Sequence, residues 1–202
     1  MVHIKLLERN DGLLASNCYL MFSENEICVI DPSVSLEKAK EVLHFDLPVK
    51  YVILTHAHID HFYEINSYVK DGALVLVSSE ESAALNDANL NCSELVVGKN
   101  MGYSGGYQII NDNDIITVGN EKLRVVKTPG HTKGSICLIG TDYIFSGDTL
   151  FSGGGYGRYD LPGGNPKDLI NSLKFLLSLD ENYKLYSGHG NVSTIKETKS
   201  FF

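Results

Sequence analysis

Residues 55–61, Thr-His-Ala-His-Ile-Asp-His, are the stretch of sequence that decides which fold is predicted for this chain. They follow residues 51–54, a run that is apolar on both alternations and therefore predicts a buried strand. In extended backbone His56 and His58 point to the same side. Asp60 and His61 then open the next helix and turn toward a neighbouring point. This dense group of imidazoles and carboxylate predicts a metal site suited to zinc, iron or manganese. The alternative is surface histidines beside a helix capped by Asp60.

Three further turns each carry one metal-competent side chain just after a short apolar run. They are Thr-Pro-Gly-His ending at His131, Ser-Gly-Asp-Thr containing Asp148, and Ser-Gly-His-Gly containing His189. One such turn alone carries little information, but here the pattern recurs after strand upon strand. In sheet proteins with outer helices, ligands gather at the carboxyl ends of strands. We therefore expect these side chains to join the histidines of residues 55–61.

The number of candidate ligands predicts the number of ions. Five histidines and two aspartates exceed the four ligands of one tetrahedral site. Two sites that share one carboxylate would use all of them, and two divalent ions about 3.5–4 Å apart can hold a hydroxide between them. The candidate metal ligands are His56, His58, Asp60, His61, His131, Asp148 and His189.

Short apolar runs and helical stretches alternate along the chain. They predict strands at residues 3–7, 18–22, 27–30, 51–54, 74–77, 115–118, 123–126, 136–139, 143–145 and 184–186, and helices at 36–45, 62–70, 80–86 and 166–179. The last helix has the clearest start, with Asn165 as N-cap and Pro166 at the first position. This order predicts two sheet-and-helix halves packed into a single domain of residues 1–202, with helices outside. Residues 87–113 lack periodicity and are predicted to be a long loop, whose part around 98–110 overhangs the site.

Composition excludes several classes of protein. The formal charge of −8 disfavours a nucleic-acid partner, and no apolar run is long enough for a membrane span. The first residues lack the features of a signal peptide, so we expect a cytoplasmic protein. The expected partner is a small-molecule substrate. The four cysteines form no C-x-x-C pair and are expected to be buried reduced thiols. Oligomeric state is not predicted.

Residues 55–61 and the three turns form four motifs that, in this order and at these separations, resemble the metallo-β-lactamase superfamily. The residues within the motifs are similar to those of its glyoxalase II-like hydrolases. The resemblance covers essentially the whole chain. It implies an α+β fold, the αββα sandwich, with two central mixed sheets and helices on the outer faces. The ligands it implies are His56, His58 and His131 for one ion and Asp60, His61 and His189 for the other, with Asp148 bridging both.

The resemblance also implies an activity. We expect hydrolysis of a thioester, similar to an S-acylglutathione, or of a similar activated ester by a metal-bridging hydroxide. Asp60 is the catalytic candidate, as a ligand that also orients the nucleophile. A thiol leaving group with a pKa near ~8.5 departs without a dedicated acid. The expected cofactors are two divalent ions, zinc first, with iron or manganese as alternatives.

Two departures from glyoxalase II stand in the sequence. That enzyme continues into a helical domain that grips glutathione, whereas this chain ends soon after His189, which leaves glutathione recognition open. Relatives often have a glycine-containing turn after the motif histidine, whereas this chain has Phe-Tyr-Glu. A different packing of the helix start is therefore expected, with Tyr63 or Glu64 within reach of the site. The alternatives are a one-iron persulfide dioxygenase, a lactonase or broad esterase, and a non-catalytic metal-binding module.

The substrate side of the site is less determined. The glycine-rich residues 152–158 lack the spacing of a nucleotide fingerprint, and we favour a wall of the active site in which Arg158 pairs with Asp160. The candidates for substrate contact are Tyr103, Tyr107, Tyr156 and Arg158. For the two tyrosines of the long loop, packing that loop down is an equal alternative.

Overall fold

Two six-stranded sheets form the centre of the computed structural model, which describes residues 2–9 and 12–202. The first sheet holds, in spatial order, β1 (His3–Glu8), β2 (Asn17–Phe22), β3 (Ile27–Ile30), β4 (Val49–Ile53), β5 (Leu74–Ser78) and β6 (Tyr107–Ile110). The second holds β7 (Ile115–Val118), β8 (Glu121–Lys127), β9 (Ile136–Ile139), β10 (Tyr143–Gly147), β11 (Lys184–Ser187) and β12 (Ser193–Thr194). Both sheets are mixed, because β3 to β6 run parallel and so do β10 and β11, whereas the other neighbours are antiparallel.

The helices are α1 (Leu36–Leu43), α2 (Ile59–Phe62), α3 (Ile65–Lys70), α4 (Ser93–Val97), α5 (Pro166–Leu177) and α6 (Ile195–Lys199), with single 3-10 turns at Gly12–Leu14, Ala84–Asn86 and Ser152–Gly154. The start of α5 is capped as predicted, since the Asn165 side chain accepts hydrogen bonds from the backbone of Lys167 and Asp168. Among residues 2–9 and 12–202, no helix has the length and apolarity to cross a bilayer.

The alternation of side chains along β2 reveals the layers. Cys18 and Leu20 pack in one cluster with residues of α1, α2 and α3, whereas Tyr19 and Met21 pack against Phe145 and other residues of the second sheet. The far face of the second sheet is covered by α5 through three leucines, Leu169, Leu173 and Leu176. The order is therefore helices, sheet, sheet, helices, and the αββα sandwich is confirmed.

The predicted elements differ from the structure mainly where elements are short. Residues 87–113 are not one long loop, because they contain α4 and the edge strand β6. The helix predicted at 62–70 begins earlier and is divided into α2 and α3, and the helix predicted at 80–86 is reduced to the turn at Ala84–Asn86. The structure adds α4, α6, β6 and the two-residue β12, which the sequence did not predict. A helix of five residues spans little more than one turn, so α4 and α6 show no helical period.

Burial of three cysteines leads to a prediction about thiol chemistry. Cys18, Cys28 and Cys137 are fully buried, and burial raises the pKa of Cys18 and Cys137 to about 12. At about pH 8 we expect iodoacetamide to alkylate both on the order of 10³-fold more slowly in the native protein than in urea, because the thiolate is the nucleophile. Peptide mass spectrometry over a time course measures both rates. Rapid native-state alkylation of either residue would contradict the placement of these strands.

Candidate metal centre

The four motif turns meet at one edge of the two sheets. They follow β4, β8, β10 and β11, and two backbone hydrogen bonds tie them across the sandwich. Ile136 N donates to Thr55 O at 2.9 Å, and Asn17 N donates to Gly188 O at 2.8 Å. Residues 128 positions apart are thereby brought together, and the Nε2 atoms of His61 and His189 lie 3.3 Å apart. The convergence expected from the sequence is therefore present in the structure.

The first group of ligand atoms, which we call the first triple, consists of His56, His58 and His131. One nitrogen from each lies within 4.8 Å of the others, and all three side chains are buried. His131 Nε2 is 3.3 Å from His56 Nε2 and 2.9 Å from His58 Nδ1. This group combines two histidines that follow the first sheet with one that follows the second.

The second group, the second triple, consists of Asp60, His61 and His189, again with one atom each within 4.8 Å. Asp60 Oδ2 lies 3.6 Å from His61 Nε2 and 3.5 Å from His189 Nε2. His61 is fully buried, whereas His189 is partly exposed, so the second triple faces the solvent more than the first. The two triples coincide with the two ligand sets that the family resemblance implied.

Asp148 stands between the triples. Its Oδ1 is 3.3 Å from His61 Nε2, and its Oδ2 is 3.6 Å from His131 Nε2 and 3.2 Å from His189 Nε2. The backbone around it leaves no spare room, since a Cβ on Gly188 would come within 2.1 Å of Asp148 Oδ1. Glycine is therefore required at position 188 if the carboxylate is to face both triples.

Hydrogen bonds fix which ring nitrogen faces the centre. His131 Nδ1 contacts the Arg158 carbonyl at 2.7 Å, and a carbonyl can only accept, so this nitrogen carries the proton. The Thr55 hydroxyl donates to Asp31 at 2.7 Å and lies 3.1 Å from His56 Nδ1, so it accepts from that nitrogen. The Nε2 atoms of His56 and His131 therefore present lone pairs to each other.

His61 is oriented in the same way by a carboxylate behind it. Its Nδ1 donates to Asp31 Oδ2 at 2.9 Å, and the other oxygen of Asp31 accepts from the Thr55 backbone N–H at 2.8 Å. A carboxylate that holds the far nitrogen of a metal-ligating histidine fixes its tautomer and raises its basicity. Asp31 was missed as a site residue, although it follows the strand Ile27–Ile30 in the same way that Asp148 follows β10.

The arrangement fits divalent metal ions. Converging lone pairs on neutral imidazoles repel unless a cation lies between them. Among the described residues the buried Asp148 Oδ1, which lies between the triples, has no hydrogen-bond partner. Five imidazoles and two carboxylates are a donor set for zinc, iron or manganese. With one shared carboxylate, the residues of the two triples match the number of ligands needed by two ions.

Electrostatics differ between the triples. Burial lowers the pKa of His58 to about 3, with His131 adding to the effect, and burial also lowers the pKa of His56. Burial opposes a charge on His61 too, but neighbouring carboxylates, chiefly Asp148, raise its pKa above the usual range. The same carboxylate raises the pKa of His189 against burial. Burial thus favours the neutral imidazole at His56 and His58, whereas histidine–carboxylate pairs dominate the second triple.

A cavity of about 440 Å³ opens onto both triples. Its lining beyond the metal-ligand residues comprises Cys92, Leu95, Val96, Phe151, Gly157, Arg158 and Leu161. The wall expected from residues 98–110 is instead formed by residues of α4 and its N-cap. Leu95 is 66% exposed, so an apolar side chain stands open at the mouth of the cavity.

Of the four candidates for substrate contact, Arg158 alone lines this cavity. Tyr103 is buried in the core beside the first sheet and donates its hydroxyl to the Gly106 carbonyl at 2.8 Å, so it packs its own loop. Tyr107 is exposed on β6, and Tyr156 borders a separate apolar groove against α5. None of the three tyrosines lines the cavity, and for Tyr103 the contacts agree with the alternative in which it packs the loop down.

Two other local expectations can be compared with the structure. Arg158 Nε and Nη2 each contact Asp160 at 2.7 Å, so the predicted pairing is confirmed. Tyr63 and Glu64 do not reach the cavity, because both contact Arg9, Tyr63 with its ring face and Glu64 through a 3.2 Å ion pair. The residues after the motif thus fasten α2 to the segment that follows β1.

Known proteins are similar to this chain in sequence and in fold. The family profile described as the Metallo-beta-lactamase superfamily matches residues 11–189. The chain is 32% identical to the probable metallo-hydrolase YqgX of Bacillus subtilis (strain 168), with 89% of this chain and 87% of that protein covered. It is 30% identical to hydroxyacylglutathione hydrolase 1 of Vibrio vulnificus (strain YJ016), over 88% of this chain and 63% of that enzyme.

Two solved structures superpose closely. The BLEG-1 B3 metallo-β-lactamase matches with a TM-score of 0.87 and 27% identity, covering 98% of this chain and 97% of that one. TTHA1623, crystallised in a di-iron-bound form, matches with a TM-score of 0.81 and 28% identity, covering 96% of each chain.

Proposed function

Because this chain belongs to the metallo-β-lactamase superfamily, we propose that it is a hydrolase with a binuclear metal centre that cleaves a thioester or a similarly activated ester. One observation carries the proposal: Asp148 lies within 3.2 to 3.6 Å of histidines from both triples, beneath a cavity whose walls are largely apolar. The substrate would be a small molecule, with its acyl part against Leu95, Val96 and Phe151.

The first triple with Asp148 would hold one ion, and the second triple with Asp148 would hold the other. Bound divalent ions would supply an activated water at neutral pH and Lewis acidity toward the acyl oxygen. The di-iron form of TTHA1623 supports iron, and the donor set supports zinc and manganese equally. We propose zinc first, because histidine and carboxylate ligands that leave a position open toward a cavity are typical of catalytic zinc sites.

Asp60 and the apolar walls of the cavity would have separate roles in the reaction. Asp60 directs Oδ2 toward His61 and His189, and its backbone carbonyl is held by the Ser16 hydroxyl at 2.7 Å. From this position the carboxylate would accept a hydrogen bond from the attacking water and orient it toward the acyl carbon. The apolar walls would exclude competing water, which strengthens every charge interaction inside the cavity.

The leaving group supports a thioester over an amide. Apart from the metal-ligand residues, the titratable groups of the cavity lining are Cys92 and Arg158. Burial raises the pKa of Cys92, and the bond to Asp160 raises that of Arg158. Both groups are therefore weak acids that offer a departing amine little general-acid catalysis at neutral pH, whereas a thiol with a pKa near ~8.5 leaves as the thiolate. The similarity to a hydroxyacylglutathione hydrolase points to the same substrate class.

A second candidate function is β-lactam hydrolysis. It is favoured by the close superposition on the BLEG-1 B3 metallo-β-lactamase. A β-lactam leaves as an amine, which needs a proton in the transition state, and a placed general acid contributes roughly 10²–10⁴-fold. We therefore rank this reaction below thioester hydrolysis.

A substrate panel tests the ranking. Protein loaded with zinc, iron or manganese is expected to hold about two ions per chain and to hydrolyse S-lactoylglutathione or a simpler acyl thioester. We expect kcat/KM for the better thioester to exceed that for a cephalosporin, and for bis-nitrophenyl phosphate, by at least about 100-fold. Thiol release with a chromogenic disulfide and absorbance changes measure the rates.

The panel includes outcomes that contradict the proposal. A homoserine lactone that wins by orders of magnitude would replace the thioester with a lactone. Oxygen uptake with glutathione persulfide, by protein that holds one iron, would favour a dioxygenase. Two bound ions with no turnover of any substrate would favour a non-catalytic metal-binding module.

A further inference from the structure

Glu81 is a buried acid outside the metal centre. It lies in the turn after β5, is 4% exposed, and is neither a member of the two triples nor part of the cavity lining. Both of its oxygens accept backbone hydrogen bonds, Oε2 from Ala57 N and Oε1 from Gly134 N, each at 2.8 Å. A buried carboxylate is costly unless such bonds compensate it, so this placement needs a reason.

The two N–H groups belong to the two loops that carry the first triple. Ala57 stands between His56 and His58 in the loop after β4, and Gly134 lies three residues beyond His131 in the turn after β8. A single side chain therefore connects the two loops that carry the three histidines, although it touches none of the ligand atoms. The loops come from different sheets, and Glu81 joins them directly.

A second side chain from the same strand end holds the same turn. The Ser78 hydroxyl donates to the Gly134 carbonyl at 2.7 Å, so both backbone polar groups of Gly134 are held by side chains at the end of β5 or in the turn after it. A Cβ at position 134 would come within 2.7 Å of both Glu81 Oε1 and Ser78 Oγ. The turn that carries His131 is thus pressed against Glu81 and Ser78.

We propose that Glu81 is a positioning residue that sets the geometry of the first triple and thereby the affinity of its metal ion. A carboxylate is required because two donors must be satisfied at once. The amide of glutamine offers one acceptor oxygen and would direct its NH₂ at the other backbone donor. The proposal rests on the proposed metal centre, but not on the proposed thioester substrate.

The test measures zinc affinity by competition with a chromogenic chelator. Two backgrounds separate the sites: His189→Ala keeps the first triple, and His131→Ala keeps the second. In the His189→Ala background, Glu81→Gln is expected to weaken zinc binding by roughly 10–100-fold, the usual cost of removing a partner that orients ligands. In the His131→Ala background the same change should leave affinity within about 3-fold of its parent.

The matched control is Glu80→Gln. Glu80 precedes Glu81 and is also an acid, but its carboxylate forms a half-buried ion pair with Lys127 instead of binding the two loops. It should leave zinc affinity unchanged in both backgrounds. Cobalt substitution adds a spectroscopic readout, because distorted coordination of the first triple changes the visible absorption of the bound cobalt.

Circular dichroism of the metal-free variants separates positioning from folding. A lower Tm with unchanged zinc affinity would show that Glu81 is merely structural and overturn the proposal. Should Glu81→Gln fail to fold, Ser78→Ala replaces it, with a smaller loss expected in the His189→Ala background; wild-type affinity there would likewise overturn the proposal. Wild-type protein that binds two ions and cleaves no thioester would contradict the proposed function alone.

Discussion

Replacing Asp148 with Asn is expected to lower kcat/KM for a thioester by at least roughly 10³-fold, equivalent to about 4 kcal/mol of transition-state stabilisation. Asp148 is the carboxylate whose oxygens approach histidines of both triples, between 3.2 and 3.6 Å away. Asparagine keeps the volume, which the tight approach of Gly188 demands, but it removes the charge and one acceptor oxygen. Both ions should therefore bind more weakly, and zinc content after dialysis should fall below two per chain.

Asp142→Asn is the matched control. Asp142 precedes β10 and Asp148 follows it, so the two aspartates flank opposite ends of one strand, and Asp142 is exposed. The control should retain wild-type metal content and rate. If Asp148→Asn kept both ions and more than about a tenth of the activity, the shared-carboxylate arrangement would be wrong.

Asp31→Asn is expected to weaken metal binding by roughly 10–100-fold and to destabilise the metal-free fold by about 1–3 kcal/mol. Asp31 accepts hydrogen bonds from His61 Nδ1, the Thr55 hydroxyl and the Thr55 N–H. An amide in this place would direct a donor at another donor. Its left-handed backbone, with φ of 54°, tolerates asparagine, so the substitution tests the hydrogen bonds rather than backbone strain.

Chelator competition and urea unfolding measure the two effects of Asp31→Asn. Asp46→Asn provides the comparison, since Asp46 is an exposed aspartate in the loop between α1 and β4. Wild-type affinity in the Asp31 variant would show that the carboxylate behind His61 does not orient it. A loss of stability with no loss of affinity would give Asp31 a structural role only.

The metal-ligand residues could be predicted because each lies in a short motif that is recognisable in the sequence alone. Four of them lie within residues 56–61, and the others each follow a recognisable strand. The sandwich was also predictable, since apolar runs and caps define its long elements, and the structure confirms it. These features depend on residue type and on the periodicity of apolar residues, and both can be observed in a single sequence.

The residues that support the ligands were not accessible in the same way. Glu81 contacts Ala57 and Gly134 only because the sandwich folds three distant segments together, and nothing in the sequence around residue 81 distinguishes it from the half-buried Glu80. The cavity wall was misplaced for a related reason. The short α4 lies inside a segment without periodicity, so Leu95 and Val96 had no sequence feature that pointed toward the metal centre.

Each triple draws its members from both sheets, and this has a consequence for how the molecule opens. An ion held by either triple cross-links the two sheets at the edge that carries the ligands, which we call the seam. Binding energy is then linked to the closed seam, and a ligand at 100 times its Kd adds about 2.7 kcal/mol to the closed state. Loss of the ions should loosen this edge first. Amide hydrogens that bridge the seam, such as Ile136 N and Asn17 N, would then exchange with deuterium before those inside either sheet.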